Sequence, residues 1–278
     1  MKQEDTHFYI DNAPPKEVIE VLRVLSLQNG MTPGEISGLL LTKGIRMQKD
    51  YTYSPRRLFD LGLAEHAPPP AGRVTYLLSL AGLHLQRILN TEQSLAIDLL
   101  HFLHYSRFTG APHDRKYLWS YRRCCQLIWD AGYLASPAQL AATIQSEMQE
   151  EFSALDFGAR QGARFNKTAV SCVYTWLRTL LPSPIGADRT LVKREVGEIK
   201  LALLGLDFAY REQRYHYGDP ILMSESLINK VAQVFFLDGQ CCRRLMLAAE
   251  TITDVVKIVD TLGGPSITLT RPITVEAV

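Results

Sequence analysis

The sequence predicts a mainly α-helical protein. It should have a helical N-terminal domain closed by a hairpin, a central helical bundle, and C-terminal helices with a β-hairpin. Three observations predict this. Apolar residues recur at helical spacing through most of the 278 residues. Runs of β-branched and aromatic residues are confined to two short stretches, each beside a Pro- or Gly-containing turn. The hydrophobic fraction of 46% with 21% charged residues suits a packed core and excludes a disordered tail or a fibre. The length alone suits about two domains, and changes of pattern along the chain place the divisions at 1–90, 91–190 and 191–278.

The first helix follows Pro14-Pro15, with Val18, Ile19, Val21, Leu22 and Leu25 in helical period, and Asn29-Gly30 stops it. Thr32-Pro33-Gly34-Glu35 starts the second. Thr32 is the cap, Pro33 fits the first helical position, and Glu35 closes a capping box. Ser54-Pro55 marks the start of a third helix, which Gly62 ends. Pro68 to Gly72 then forms a turn between Ala64-Glu65-His66 and Val74-Thr75-Tyr76-Leu77-Leu78, which reads as a hairpin. Ser79 caps a further helix carrying Leu83, Leu85, Ile88 and Leu89.

The order helix, helix, helix, hairpin, helix resembles the winged helix-turn-helix fold of prokaryotic regulators. Leu61-Gly62-Leu63, Tyr76-Leu77-Leu78 and Ser79-Leu80-Ala81-Gly82 carry the resemblance, which covers about a third of the chain. It implies DNA contact through the third helix. The net charge of +1 gives little general attraction to nucleic acid, so any contact must come from a local patch. Such a patch lies before and within the third helix. Arg56 and Arg57 fall at the N-terminal end, which approaches base edges in this fold. Lys43, Arg46 and Lys49 precede it, where phosphate contacts are usual. Tyr51, Thr52, Tyr53 and Ser54 add hydroxyls, and Arg73 opens the second wing strand. The opposing reading of these residues is a solvated face, or a winged helix that docks a protein.

Beyond residue 90 the helices read as Thr91 to Phe108, Asp114 to Ala131, Ser136 to about Phe152, and Lys167 to Leu181. Trp119 and Trp176 fall on apolar faces and are expected in the core. From Arg194 to Tyr215 the pattern predicts a long helix. Helices capped near Ser224 and following Asp238-Gly239 come next, then a hairpin around Thr261 to Pro265. Two helices followed by a hairpin echo the N-terminal order. A second, degenerate winged helix is therefore one reading, and a hairpin packed on the bundle is the other.

Catalytic signals are weak. Asp98, His101 and His104 share one helical arc, but that helix is strongly apolar. Glu198-Ile199-Lys200 has the Glu-x-Lys spacing of many nucleases, with Asp188 upstream, yet residues 193–206 read as helix where those enzymes use a strand. Cys124-Cys125, Cys172 and Cys241-Cys242 are odd in number and lack zinc spacing, so reduced cysteines are expected. The charged start, Met1-Lys2-Gln3-Glu4-Asp5, has no apolar stretch behind it, and a cytoplasmic location is expected.

The expected function is non-enzymatic binding of double-stranded DNA. The chain would act as a transcriptional regulator or as the DNA-contacting subunit of a larger assembly, working as a homodimer or subunit. No membrane, cofactor or metal is expected. In style, a winged helix joined to an unfamiliar helical body is similar to accessory proteins of prokaryotic anti-phage defence and DNA-modification islands. The alternatives are a protein-interaction subunit whose winged helix docks a partner, and a metal-dependent nuclease using Glu198 and Lys200.

Overall fold

A computed structural model describes residues 7–47, 52–67, 74–111, 113–153 and 165–277. The protein is mainly α-helical, with two small antiparallel sheets among the described residues. It forms two compact units, Met1–Ile128 with Leu134–Thr179, and Trp129–Tyr133 with Leu180–Val278.

The first unit opens with α1 (Pro15–Val24), α2 (Pro33–Thr42), α3 (Tyr53–Asp60), β1 (Ala64–His66), β2 (Tyr76–Leu78) and α4 (Leu80–Thr91). This is the order expected of a winged helix. Thr32 and Glu35 make the expected capping box on α2. A strand element absent from the sequence reading joins β2: Met31 exchanges backbone bonds with Tyr76, at 2.9 and 2.8 Å.

Two glycines of the sequence signature have a physical role here. Gly62 exits α3 at φ 66°, a conformation that L side chains rarely adopt. A β-carbon at Gly82 would collide with the Leu63 carbonyl, so glycine lets α4 approach the end of α3. Ser79 completes the joint, its Oγ donating to the Gly62 carbonyl at 2.7 Å and accepting from the Gly82 N–H at 3.0 Å.

The rest of this unit is α5 (Gln93–Ser106), most of α6 (Lys116–Ala131), α7 (Pro137–Glu151) and α8 (Lys167–Thr179). It does not separate from the N-terminal elements at residue 90, because α4 packs along α5 and α1 against α8. Trp119 and Trp176 are both buried.

The second unit contains α9 (Ile199–Gln213), β3 (Pro220–Leu222), α10 (Glu225–Phe235), α11 (Gly239–Ile252), β4 (Val256–Thr261) and β5 (Gly264–Leu269). β5 lies between β3 and β4. Helix, strand, two helices and a hairpin, with the first strand beside the last, repeat the order of the N-terminal region. This is the order that the reading of a second, degenerate winged helix expects. Helix α9 starts at Ile199, five residues after the predicted Arg194. Arg194 is instead drawn into a parallel bridge with Leu237, its N–H donating to the Phe236 carbonyl at 2.8 Å.

Candidate nucleic-acid interface

Helix α3 sorts its residues by face. Leu58 and Pro55 turn inward, while Thr52 and Arg56 face solvent. Residues four apart fall on one side of a 3.6-residue helix, so Thr52 and Arg56 share a face. Lys43, which follows α2, and Arg46 are exposed as well. Tyr53 is half-buried. Phe59, on the same helix, stacks on His66 of β1 at 4.0 Å between ring centroids, which braces the wing against α3. Lys49, Tyr51 and Arg73 lie outside the described residues.

Two of the predicted contacts do not reach the surface. Arg57 is only 3% exposed. Its guanidinium lies over the Tyr117 ring, 4.1 Å from the centroid, and donates to the Asp11 carbonyl at 3.1 Å. Ser54 is buried too and donates to Glu17 at 3.4 Å. The reason is angular. Successive residues are about 100° apart on a helix, and that rotation carries Arg57 from the open side, where Arg56 lies, to the side packed against Tyr117 and Asp11. Arg57 fastens α3 to α6.

A residue that the sequence reading did not single out, Arg115, stands immediately before α6. Its Nε donates to Asp60 at 2.9 Å, and Arg56 Nε lies 3.9 Å from the other oxygen of that carboxylate. The Asp60 side chain is 4% exposed, while those of Arg56 and Arg115 are 44% and 36% exposed. Burial pushes the Asp60 carboxyl above its ordinary range, while the charges of Arg115, Arg57 and Arg56 pull it back. Arg107 packs its guanidinium against Gly62 at the same end of α3. Nothing in the sequence signalled this grouping, because 55 residues separate Asp60 from Arg115.

The chemistry weighed elsewhere is arranged differently. His101 Nδ1 lies 2.8 Å from the Tyr121 hydroxyl, and His104 Nδ1 lies 2.8 Å from the Leu100 carbonyl. Both rings are buried, and burial holds His104 well below the ordinary histidine range. Glu198 caps α9 in an extended conformation rather than sitting inside a helix. The Asp188 carboxylate accepts from the Thr190 N–H and hydroxyl, at 3.1 and 2.5 Å, and those bonds lower its pKa. Among the described residues, no group of three or more His, Cys, Asp or Glu side chains could hold a metal ion. A cleft of about 500 Å³ beside Trp119 contains Arg122 and Arg123. Arg122 bonds the carbonyls of Tyr105, Ser106 and Phe108 at the end of α5, and Arg123 clasps Glu147 with two 2.7 Å bonds. These arginines are tied into the packing.

No protein-family model and no curated protein matches the chain. Among solved structures it is similar to the magnesium ion-bound crystal structure of SspB, with a TM-score of 0.56. That likeness covers 96% of this chain and 86% of the other, at 13% identity. It is a likeness of fold, and it spans both units. Among the described residues, no helix is long and apolar enough to cross a membrane.

Proposed function

We propose that this chain is a non-enzymatic, cytoplasmic DNA-binding protein whose N-terminal winged helix contacts the duplex. It would serve as a regulator or as the DNA-contacting subunit of a prokaryotic defence or DNA-modification assembly. The observation that carries this reading is the outward face of α3. Thr52 and Arg56 point to solvent on the helix that enters the groove in winged helices, and Lys43 and Arg46 precede them. Arg56 is the base-edge or phosphate contact at the helix, and the two earlier cations are backbone contacts.

A second reading, docking of a protein partner, draws on the second unit. In its sheet Leu222 and Val259 flank the buried Ser266 of the middle strand in register, and both are exposed. Exposed apolar side chains grouped in this way mark interaction surfaces.

Fluorescence anisotropy with a labelled duplex, titrated with salt, separates the readings. A DNA binder shows log K falling linearly with log salt. Arg56→Ala should flatten that slope by about one unit. Duplex mobility unchanged by the protein, together with a co-purifying partner, would favour docking. The SspB structure carries a magnesium ion. Magnesium-dependent cleavage abolished by Glu198→Ala would move the chain to the hydrolytic class.

A further inference from the structure

We propose that Arg115 contacts a DNA phosphate on the same surface as Arg56, with Asp60 as the positioning residue that holds the two guanidinium groups side by side. This rests on the reading of α3 as the DNA-facing helix. One nearly buried carboxylate serves two arginines. Its Oδ1 accepts from Arg115 Nε at 2.9 Å, and its Oδ2 faces Arg56 Nε at 3.9 Å.

Both arginine side chains reach solvent while the acid does not. An arriving anion therefore meets the cations and not the carboxylate. Guanidinium is the cation best matched to phosphate, because its fork of N–H donors fits the phosphate oxygens. The Nε bond to Asp60 anchors the Arg115 side chain before DNA arrives, which reduces the ordering cost of binding, while Arg56 is held near the same carboxylate by charge. The partner is thus the duplex backbone, met jointly by a helix of the winged-helix region and the start of a bundle helix. Arg107, lying against Gly62, adds another cation at this end of α3.

The test is the salt dependence of duplex binding by the full chain, for the parent, Arg56→Ala, Arg115→Ala, Arg115→Lys and the double alanine variant. Arg56→Ala and Arg115→Ala should each lower the slope of log K against log salt by about one unit, and the pair by about two. Arg115→Lys should restore the slope, because it keeps the charge. If Arg115→Ala loosens the fold, Arg115→Gln keeps the side-chain length without charge and should show the same reduced slope. A parental slope in folded Arg115→Ala or Arg115→Gln, with a reduced slope in Arg56→Ala, overturns the role of Arg115 and leaves the reading of α3 standing. A parental slope in both overturns the reading of α3 itself.

Discussion

The N-terminal and C-terminal modules share one order of elements and differ in what their third helix presents. In the first, α3 has 8 residues and leaves Thr52 and Arg56 open to solvent. In the second, α11 has 14 residues, and the turn before it is covered by the chain's own backbone. Asp238, its cap, donates its N–H to the Arg194 carbonyl at 2.7 Å, and Arg194 is buried against the carbonyls of Phe235 and Leu181. The two arginines of α11 are engaged, Arg243 with Glu225 at 3.1 Å and Arg244 with the Glu195 carbonyl at 3.4 Å. Arg244 reaches solvent, and Leu247 and Ile252 are exposed beside it. One order of elements therefore carries two different surface chemistries. The sheets differ in the same sense. Among the described residues, the C-terminal hairpin pairs six residues on each strand, whereas β1 and β2 pair three and Met31 adds a single bridge.

The largest expected effect tests whether the first module depends on the bundle it is packed with. Trp176 is buried against His104, 4.5 Å between ring centroids. Trp176→Ala should cost ~3–5 kcal/mol. Chemical denaturation should then show the N-terminal elements unfolding together with the bundle. An unchanged midpoint would place Trp176 outside the shared core.

Next in size is the contrast between the two neighbouring arginines. Arg57→Ala removes a desolvated cation from the face of Tyr117 and should cost about 2 kcal/mol or more. Arg56→Ala should leave the melting temperature within the range of ordinary surface substitutions, about 0.5 kcal/mol. Equal melting temperatures for the two variants would break the assignment of one to the interior and the other to the surface.

A smaller effect separates the two third helices. Replacing Arg243 and Arg244 by Ala should leave the salt slope of duplex binding at its parental value, while Arg56→Ala lowers it by about one unit. A comparable loss from the α11 pair would make both modules DNA readers.

The smallest effect concerns pH. Burial holds His104 neutral in the folded protein. An unfolded chain takes up a proton there near the ordinary histidine pKa of about 6.5. Since the unfolded state then binds more protons, the contribution of His104 to stability is present above that pH and lost as pH falls below it. His104→Asn should show a weaker fall in melting temperature between pH 7 and pH 5 than the parent. A parallel fall in both would assign the acid sensitivity to other groups.

Where apolar periodicity and capping residues act together, the elements were legible in advance. Ser136 and Gln139 close a capping box on α7, Ser224 caps α10, and Asn166 accepts from the first N–H groups of α8. The strands at Met31 and β3, which no hairpin turn marks, left no such trace. Met31 forms a single bridge and β3 has three residues, too few for an alternating pattern to emerge. The candidate surface was legible in part. Lys43, Arg46, Thr52 and Arg56 are exposed as a positive cluster requires, while Arg57 and Ser54 were misread.

Local sequence determined what local forces control. The capped helix starts, the glycine exits and the order of helices and hairpins follow from capping, backbone conformation and apolar spacing within a few residues, whereas the start of α9 did not. Tertiary structure alone decided which of two adjacent arginines faces water, because that depends on where α1 and α6 press on α3. It also brought Arg115 to Asp60 and Arg194 to the turn before α11. Those contacts join residues 41 to 55 positions apart, a separation that no window of local pattern spans.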